Sequence, residues 1–236
     1  MKSTESNMPP NRKSQIGKQR GLFITFEGVE GSGKTTQAKI LARWLKAQGR
    51  KVLLTREPGG PYISEKIRKI LLDARHHEMH PLTELLLLEA SRSQHMHQVI
   101  APALKAGAIV ICDRFADSST AYQGYGRRMD LDMVRRLNDI ATAGCRPALT
   151  MVIDVPVDVG FSRAAKRKRS FDRMESQQQA FHQRVRKGFQ ALAQGEPARV
   201  KLLDGRFPPD VIQAAVRQLV LSRLITGRND QEPRKA

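Results

Sequence analysis

Lys34 and Thr35 close the stretch Gly28-Val29-Glu30-Gly31-Ser32-Gly33-Lys34-Thr35-Thr36, which carries the full spacing G-x-x-x-x-G-K-[ST]. An apolar run at 22–27 stands before it and an amphipathic pattern at 34–48 follows, which is the context this spacing requires. Glycines let successive backbone N–H groups face one concavity, and the N-terminal end of the following helix adds its positive dipole to that anion nest. Residues 28–36 are therefore candidates for holding the phosphates of a nucleotide. Lys34 offers a mobile charge to the β- and γ-phosphates, and the Thr35 hydroxyl offers a ligand to a magnesium ion bridging the same oxygens.

Phosphoryl transfer needs little covalent help. It needs donor, acceptor and metal fixed in line, with cations spread over the charge that develops. Two further stretches offer such groups. TREPGG at 55–60 sets Arg56 and Glu57 before a Pro-Gly-Gly turn, where backbone approaches a ligand closely. CDRFADSSTAYQG at 112–124 sets Asp113 at a strand end, suited to a magnesium-bound water, with Arg114 beside it for a phosphate. A plain NTPase needs one nucleotide site. Two arginine-bearing strand ends facing one phosphate loop imply a second phosphorylated substrate.

The elements that must position these groups are legible as alternating patterns. Apolar β-rich runs recur at 22–27, 51–57, 108–114, 149–155 and 199–204, and helical patterns lie between them at 34–48, 81–105, 131–143, 176–193 and 209–224. Strands alternating with helices predict an α/β fold with a parallel sheet covered on both faces, and a ligand site beyond the carboxyl ends of the strands.

A chain of 236 residues suits one such domain. The polar, basic stretch 1–20 buries too little apolar surface to order itself and is predicted to be a disordered extension; the domain then spans 21–225, and 226–236 form a polar tail. No apolar run is long enough to cross a bilayer, and Cys112 and Cys145 have neither disulfide nor zinc-ligand spacing, so a soluble protein of a reducing cytoplasm is expected. The formal net charge of +18 fits either nucleic-acid binding or attraction of nucleotide substrates. His76, His77, His80, His95 and His97 lack ligand spacing and read as surface or capping residues. Leu85–Leu88 reads as the buried side of a long helix, shared with a dimer partner.

Taken in order, FEGVEGSGKTTQ, TREPGG, ASRSQH, DRFADSSTAYQG and DRME resemble the bacterial thymidylate kinases, and the resemblance runs from about Gly21 to about Leu224. It implies a P-loop fold with a five-stranded parallel sheet, a short lid at about 162–175, and transfer of the γ-phosphate of ATP to dTMP with magnesium. It also implies a homodimer. By the same resemblance, Glu30 meets the deoxyribose 3′-hydroxyl, Arg56 and Arg114 lie near the dTMP phosphate, and Glu57 and Asp113 serve the metal. Arg92 contacts the thymine edge, Ser118 and Ser119 take polar base-contact positions, Tyr122 packs beside the sugar, and Gln123 completes the motif. The loop has no arginine between Gly28 and Lys34, which matches the type II pattern in which the lid supplies the cation. Arg163, Arg167, Arg169 and Arg173 are the candidates, with Arg167 or Arg169 favoured.

The chain departs from the family pattern at Leu88, where Phe or Tyr normally stacks on thymine. Loss of the ring is expected to cost about 1 kcal/mol of base affinity. That keeps open a kinase for another nucleoside monophosphate. A basic nucleic-acid-associated protein is the alternative of a different class, and the intact Lys34, Thr35, Asp113, Arg114 and Tyr122 argue against it.

Overall fold

The computed structural model describes residues 21–166 and 172–229. Five short strands, β1 (Phe23–Glu27), β2 (Val52–Arg56), β3 (Ile109–Asp113), β4 (Leu149–Asp154) and β5 (Val200–Asp204), form one parallel sheet in the order β2-β3-β1-β4-β5. All five fall where the apolar runs predict them. The apolar side chains of β1, β3 and β4 are buried, as expected of central strands covered on both faces, whereas β2 and β5 at the edges are partly exposed. Parallel pairing puts every carboxyl end on one side: Phe26 pairs with Asp113, and Arg56 with Asp113 from the other edge.

Helices α1 (Lys34–Ala47), α2 (Tyr62–Leu72), α3 (Pro81–His95), α4 (Ala101–Lys105), α5 (Ala116–Ser119), α6 (Leu131–Thr142), α7 (Val157–Ala165), α8 (Gln179–Gly195) and α9 (Pro209–Asn229) flank the sheet. On one face α1 and α9 cover a core that includes Ile24, Phe26, Leu41, Leu45, Ile111 and Val216. On the other, α8 packs Phe181, Val185 and Phe189 against Val152 and Tyr122. Local signals set the ends. Pro81 occupies the first turn of α3 behind His80, whose Nδ1 accepts the Leu82 N–H at 3.2 Å, so the capping role expected for His80 is realised. Asp130 caps α6 by accepting the Met133 N–H at 2.6 Å.

Three short helices beside the site, α2, α5 and α7, have no counterpart in the periodic patterns. The predicted helix 81–105 is present, but the middle of it, Met96–Ile100, is a π-helical turn. A second π-helical stretch, Thr120–Gly126, continues α5; its wider turn, closed by the Arg127 N–H on the Tyr122 carbonyl at 2.9 Å, buries the consecutive Tyr122 and Gln123 together. α9 runs past residue 225 to Asn229. The extension 1–20, the tail from 230 and the lid residues Arg167 and Arg169 lie outside the described residues.

Candidate functional site

The loop Gly28–Gly33 joins β1 to α1, and it closes tightly because its glycines take positive φ, 69° at Gly31 and 101° at Gly33. A side chain at Gly31 would place Cβ 2.0 Å from the carbonyl oxygen of Gly160, so the loop rests backbone to backbone on α7. Val29 and Ser32 are buried, while Thr36 lies in the first turn of α1. The Lys34 ammonium is buried and donates to the Val29 carbonyl at 3.2 Å. Burial, and then the nearby Arg114, push its pKa down to about 8.

Thr35 donates its hydroxyl proton to Asp113 Oδ2, and Asp113 Oδ1 is buried with no hydrogen-bond partner. A hydroxyl and a carboxylate with one idle oxygen, at the mouth of a phosphate loop, suit a hard divalent cation whose remaining ligands are nucleotide oxygens and water. The described residues contain no group of three or more His, Cys, Asp or Glu side chains that could hold a metal ion. Glu57, expected beside that metal, is committed elsewhere: Arg92 Nε donates to its Oε2 at 2.8 Å, and His95 Nδ1 lies 3.0 Å from its Oε1.

Beside the loop opens a cavity of 420 Å³. Its walls include Glu30, Gly31, Lys34, Thr35, Arg56, Glu57, Leu88, Arg92, Asp113, Arg114, Ser118, Ser119, Tyr122 and Gln123, so the sequence-predicted residues from four separate segments are brought together. Glu30 is the hinge between the two ends. Its carboxylate takes Arg114 Nη2 at 2.8 Å and the Tyr122 hydroxyl at 2.8 and 2.9 Å, and His182 Nδ1 lies 3.4 Å away. Burial alone would raise its pKa, but Arg114, His182 and Lys34 outweigh that and hold the carboxyl well below the usual range. Arg114, at φ 71°, also donates to the Gly28 carbonyl at 3.1 Å and stacks over the Tyr122 ring. Backbone strain of this kind persists where surrounding contacts over-determine it.

Beneath this layer, Glu27 accepts the Phe115 N–H at 2.7 Å and the Ser118 hydroxyl at 2.6 Å. Complete burial, with Asp117 close by, pushes its pKa up to about 8. Arg92 is the second hub. Besides Glu57 it reaches Glu89 at 2.6 Å, Ser119 Oγ at 3.0 Å and Asn138 Oδ1 at 2.8 Å.

Several participants have roles that the motifs do not announce. His95 is wholly buried and bonded to Glu57 and Thr55, which corrects its reading as a surface or capping residue. His182 is buried behind Glu30 between Phe161 and Phe181. Arg68 on α2 lines the cavity and donates to the Pro58 carbonyl at 2.7 Å. Glu84 at the start of α3 is likewise buried at the cavity wall. Nor is Leu85–Leu88 one buried face: Leu85 is buried, Leu86 is exposed, and Leu88 faces the cavity, as a helix must distribute four consecutive residues. Of the lid arginines that are described, Arg163 donates to the Gly205 carbonyl at 2.8 Å, and Arg173 is buried on Glu84 and the Leu71 carbonyl.

A glycine-rich loop at the switch point of a parallel sheet, with an arginine-lined second pocket beside it, defines a P-loop kinase of phosphorylated acceptors. The family profile described as thymidylate kinase matches residues 26–216. A thymidylate kinase of Geobacter sulfurreducens is 50% identical over 209 residues, covering 86% of this chain and 98% of the relative. One of Geotalea uraniireducens is 48% identical over 212 residues, covering 88% and 100%. The crystal structure of thymidylate kinase from Ehrlichia chaffeensis superposes with a TM-score of 0.70 at 35% identity, covering 85% of this chain and 98% of that one. The chain belongs to the thymidylate kinase family.

Proposed function

We infer that this protein transfers the γ-phosphoryl group of ATP to dTMP, yielding ADP and dTDP for DNA precursor synthesis. The observation that carries the reading is the single cavity with Lys34 and Thr35 at one end and Arg92 and Gln123 at the other, since transfer needs two nucleotides held in one dry site. Residues 28–36 cradle the donor phosphates with backbone N–H groups, and Lys34 neutralises charge on the transferring group. Thr35 and Asp113 would hold magnesium, which would supply charge neutralisation for the transferring phosphoryl group.

At the acceptor end, Arg56, Arg114 and Arg68 supply cations for the dTMP phosphate. Arg114 and Arg56 are each paired with a carboxylate, Glu30 and Glu65, at 2.8 Å, so the acceptor phosphate exchanges one anion for another instead of filling a bare charge. Glu30, once released from Arg114, keeps Tyr122 and His182 as partners and is placed for the sugar 3′-hydroxyl. Tyr122 crowds the position of a ribose 2′-hydroxyl, while Leu88, Arg92, Ser118, Ser119 and Gln123 surround the base. With Arg163 and Arg173 engaged in the fold, the transition-state cation of the lid falls to Arg167 or Arg169.

The protein acts as a homodimer in the cytoplasm. Exposed apolar side chains on adjacent helices, Tyr62, Ile63 and Ile70 of α2 with Leu82 and Leu86 of α3, support a self-association face. Among the described residues no helix is long and apolar enough to cross a membrane.

The test is ADP release with ATP and magnesium, comparing dTMP, dUMP, dCMP, dGMP and UMP as acceptors. The reading expects a strong preference for dTMP. Preference for another monophosphate would reassign the acceptor, and no acceptor-dependent turnover would overturn the kinase reading.

A further inference from the structure

Glu84 has no accessible surface, yet N–H donors converge on it from three side chains. Gln123 Nε2 donates at 2.8 Å, Arg127 through Nη2 at 2.9 Å and Nε at 3.2 Å, and Arg173 Nη1 lies at 2.7 Å. Burial would raise its pKa, but Arg127, Gln123 and Arg173 together lower it below the ordinary carboxylate value. An ionised carboxylate only accepts hydrogen bonds. The Gln123 amide must therefore turn its NH2 group to Glu84 and its carbonyl oxygen the other way, because the flipped amide would set a carbonyl dipole against a buried negative charge.

That carbonyl oxygen, Gln123 Oε1, is buried and has no hydrogen-bond partner in the protein. Such an orphan is costly unless a ligand completes it. Gln123 lines the same cavity as Leu88 and Arg92. Glu84, Leu88 and Arg92 are spaced i, i+4 and i+8 along α3, so they share one face of the helix. Arg92 has Nε and Nη1 held by Glu57, Glu89, Ser119 and Asn138, which leaves Nη2 as the donor for a ligand. The base end of the cavity thus combines a fixed acceptor with a fixed donor. A 4-keto pyrimidine presents N3–H beside the O4 acceptor and matches both. Cytosine presents an N3 acceptor beside an N4 donor and opposes both.

We propose that Glu84 is a positioning residue that locks the Gln123 amide and thereby selects acceptor bases carrying N3–H beside a 4-keto oxygen. Arg127 and Arg173 have a part in this that does not involve touching nucleotide: they keep Glu84 an acceptor. The lock acts on the base edge alone, so it discriminates thymine and uracil from cytosine but does not separate thymine from uracil. The inference rests on reading the cavity as a pyrimidine monophosphate site.

Replacing Glu84 by Gln tests it, since an amide both donates and accepts and lets Gln123 turn either way. Steady-state kcat/KM for dTMP, dUMP and dCMP is measured on the wild-type protein and on Glu84→Gln. The expected result is a fall of about tenfold or more in the dTMP to dCMP ratio, carried more by KM for dTMP than by kcat, with the dTMP to dUMP ratio unchanged. A purely structural role would depress all three acceptors together; a smaller change in the dTMP to dCMP ratio overturns the proposal. Should the single variant fail to fold, Glu84→Gln combined with Arg127→Met removes one charge of each sign and is held to the same ratio. Wild-type preference for dCMP would sink both this inference and the acceptor reading, whereas preference for dTMP with an unmoved ratio in the variant would sink this inference alone.

Discussion

The two ends of the cavity are built on opposite plans. The proposed donor end is one continuous segment, residues 28–36, which offers backbone N–H groups and one lysine to a phosphate. Apart from Glu30, whose partners belong to the acceptor end, its side-chain partner from afar is Asp113, on the neighbouring strand. The acceptor end is a buried polar network drawn from several helices, in which groups lining the cavity are held by other side chains: Arg92 by Glu57, Glu89 and Asn138, Gln123 by Glu84, and Glu30 by Tyr122 and His182. A phosphate is the same anion on every nucleotide, so backbone geometry suffices for it. A base edge has to be told from other base edges, which needs side chains whose orientation is fixed from behind.

The contrast is broken most severely at Lys34. Lys34→Met is expected to lower kcat by about 10³-fold or more without unfolding the protein. It should also stabilise the nucleotide-free protein at pH 7 by on the order of 3 kcal/mol, because the folded state lowers this pKa from 10.5 to about 8 and so pays to keep the charge. The gain is full below pH 8 and vanishes as pH rises towards 10.5, where the unfolded chain also loses the proton. Thermal unfolding across that range checks it, and a variant less stable than wild type at pH 7 would contradict it.

At the acceptor end the expected loss is smaller but coupled to the fold. Arg92→Met should reduce kcat/KM for dTMP by about 100-fold and destabilise the protein by about 3 kcal/mol, since it strands Glu57 and Glu89 in the interior. Denaturant unfolding beside kinetics separates the two effects, and unchanged stability would mean that the network is not cooperative. Leu88→Phe restores an aromatic ring at the base and should lower KM for dTMP several-fold, a gain of about 1 kcal/mol. An unmoved KM would show that the base stacks elsewhere. At Glu27 the expected effect lies in the pH dependence of stability and not in turnover. Its pKa is raised from 4.5 to about 8, so the native state binds more protons than the unfolded chain in that interval, and stability falls as pH rises through it. Glu27→Gln should flatten that slope; an identical slope in both proteins would show that Glu27 is ionised throughout.

The same contrast explains what was legible in the sequence. The sheet is a set of buried apolar runs, and the donor loop is a contiguous motif whose glycines each have a geometric purpose, so both could be read residue by residue. Arg92, Tyr122 and Gln123 were reached only through resemblance to a family. Glu84 could not be reached that way: a glutamate in the first turn of a helix looks like an ordinary solvated charge, and its burial depends on Arg127 and Arg173 arriving from distant segments. His95 did leave a trace, as the last residue of ASRSQH and three residues after Arg92 on the same helix, but a search for metal-ligand spacing passes over it. His182 left none, because its role is to stand behind Glu30, 152 positions earlier in the numbering of the chain.

The most direct test of a two-nucleotide site is product stoichiometry. The purified protein is mixed with ATP, magnesium and dTMP, quenched at intervals, and the nucleotides are separated by chromatography. Appearance of ADP and dTDP in equal amounts, with neither formed when dTMP is omitted, is the predicted result. ADP released without matching dTDP would show that the loop hydrolyses its nucleotide without delivering the phosphate to the acceptor end, and would contradict the account.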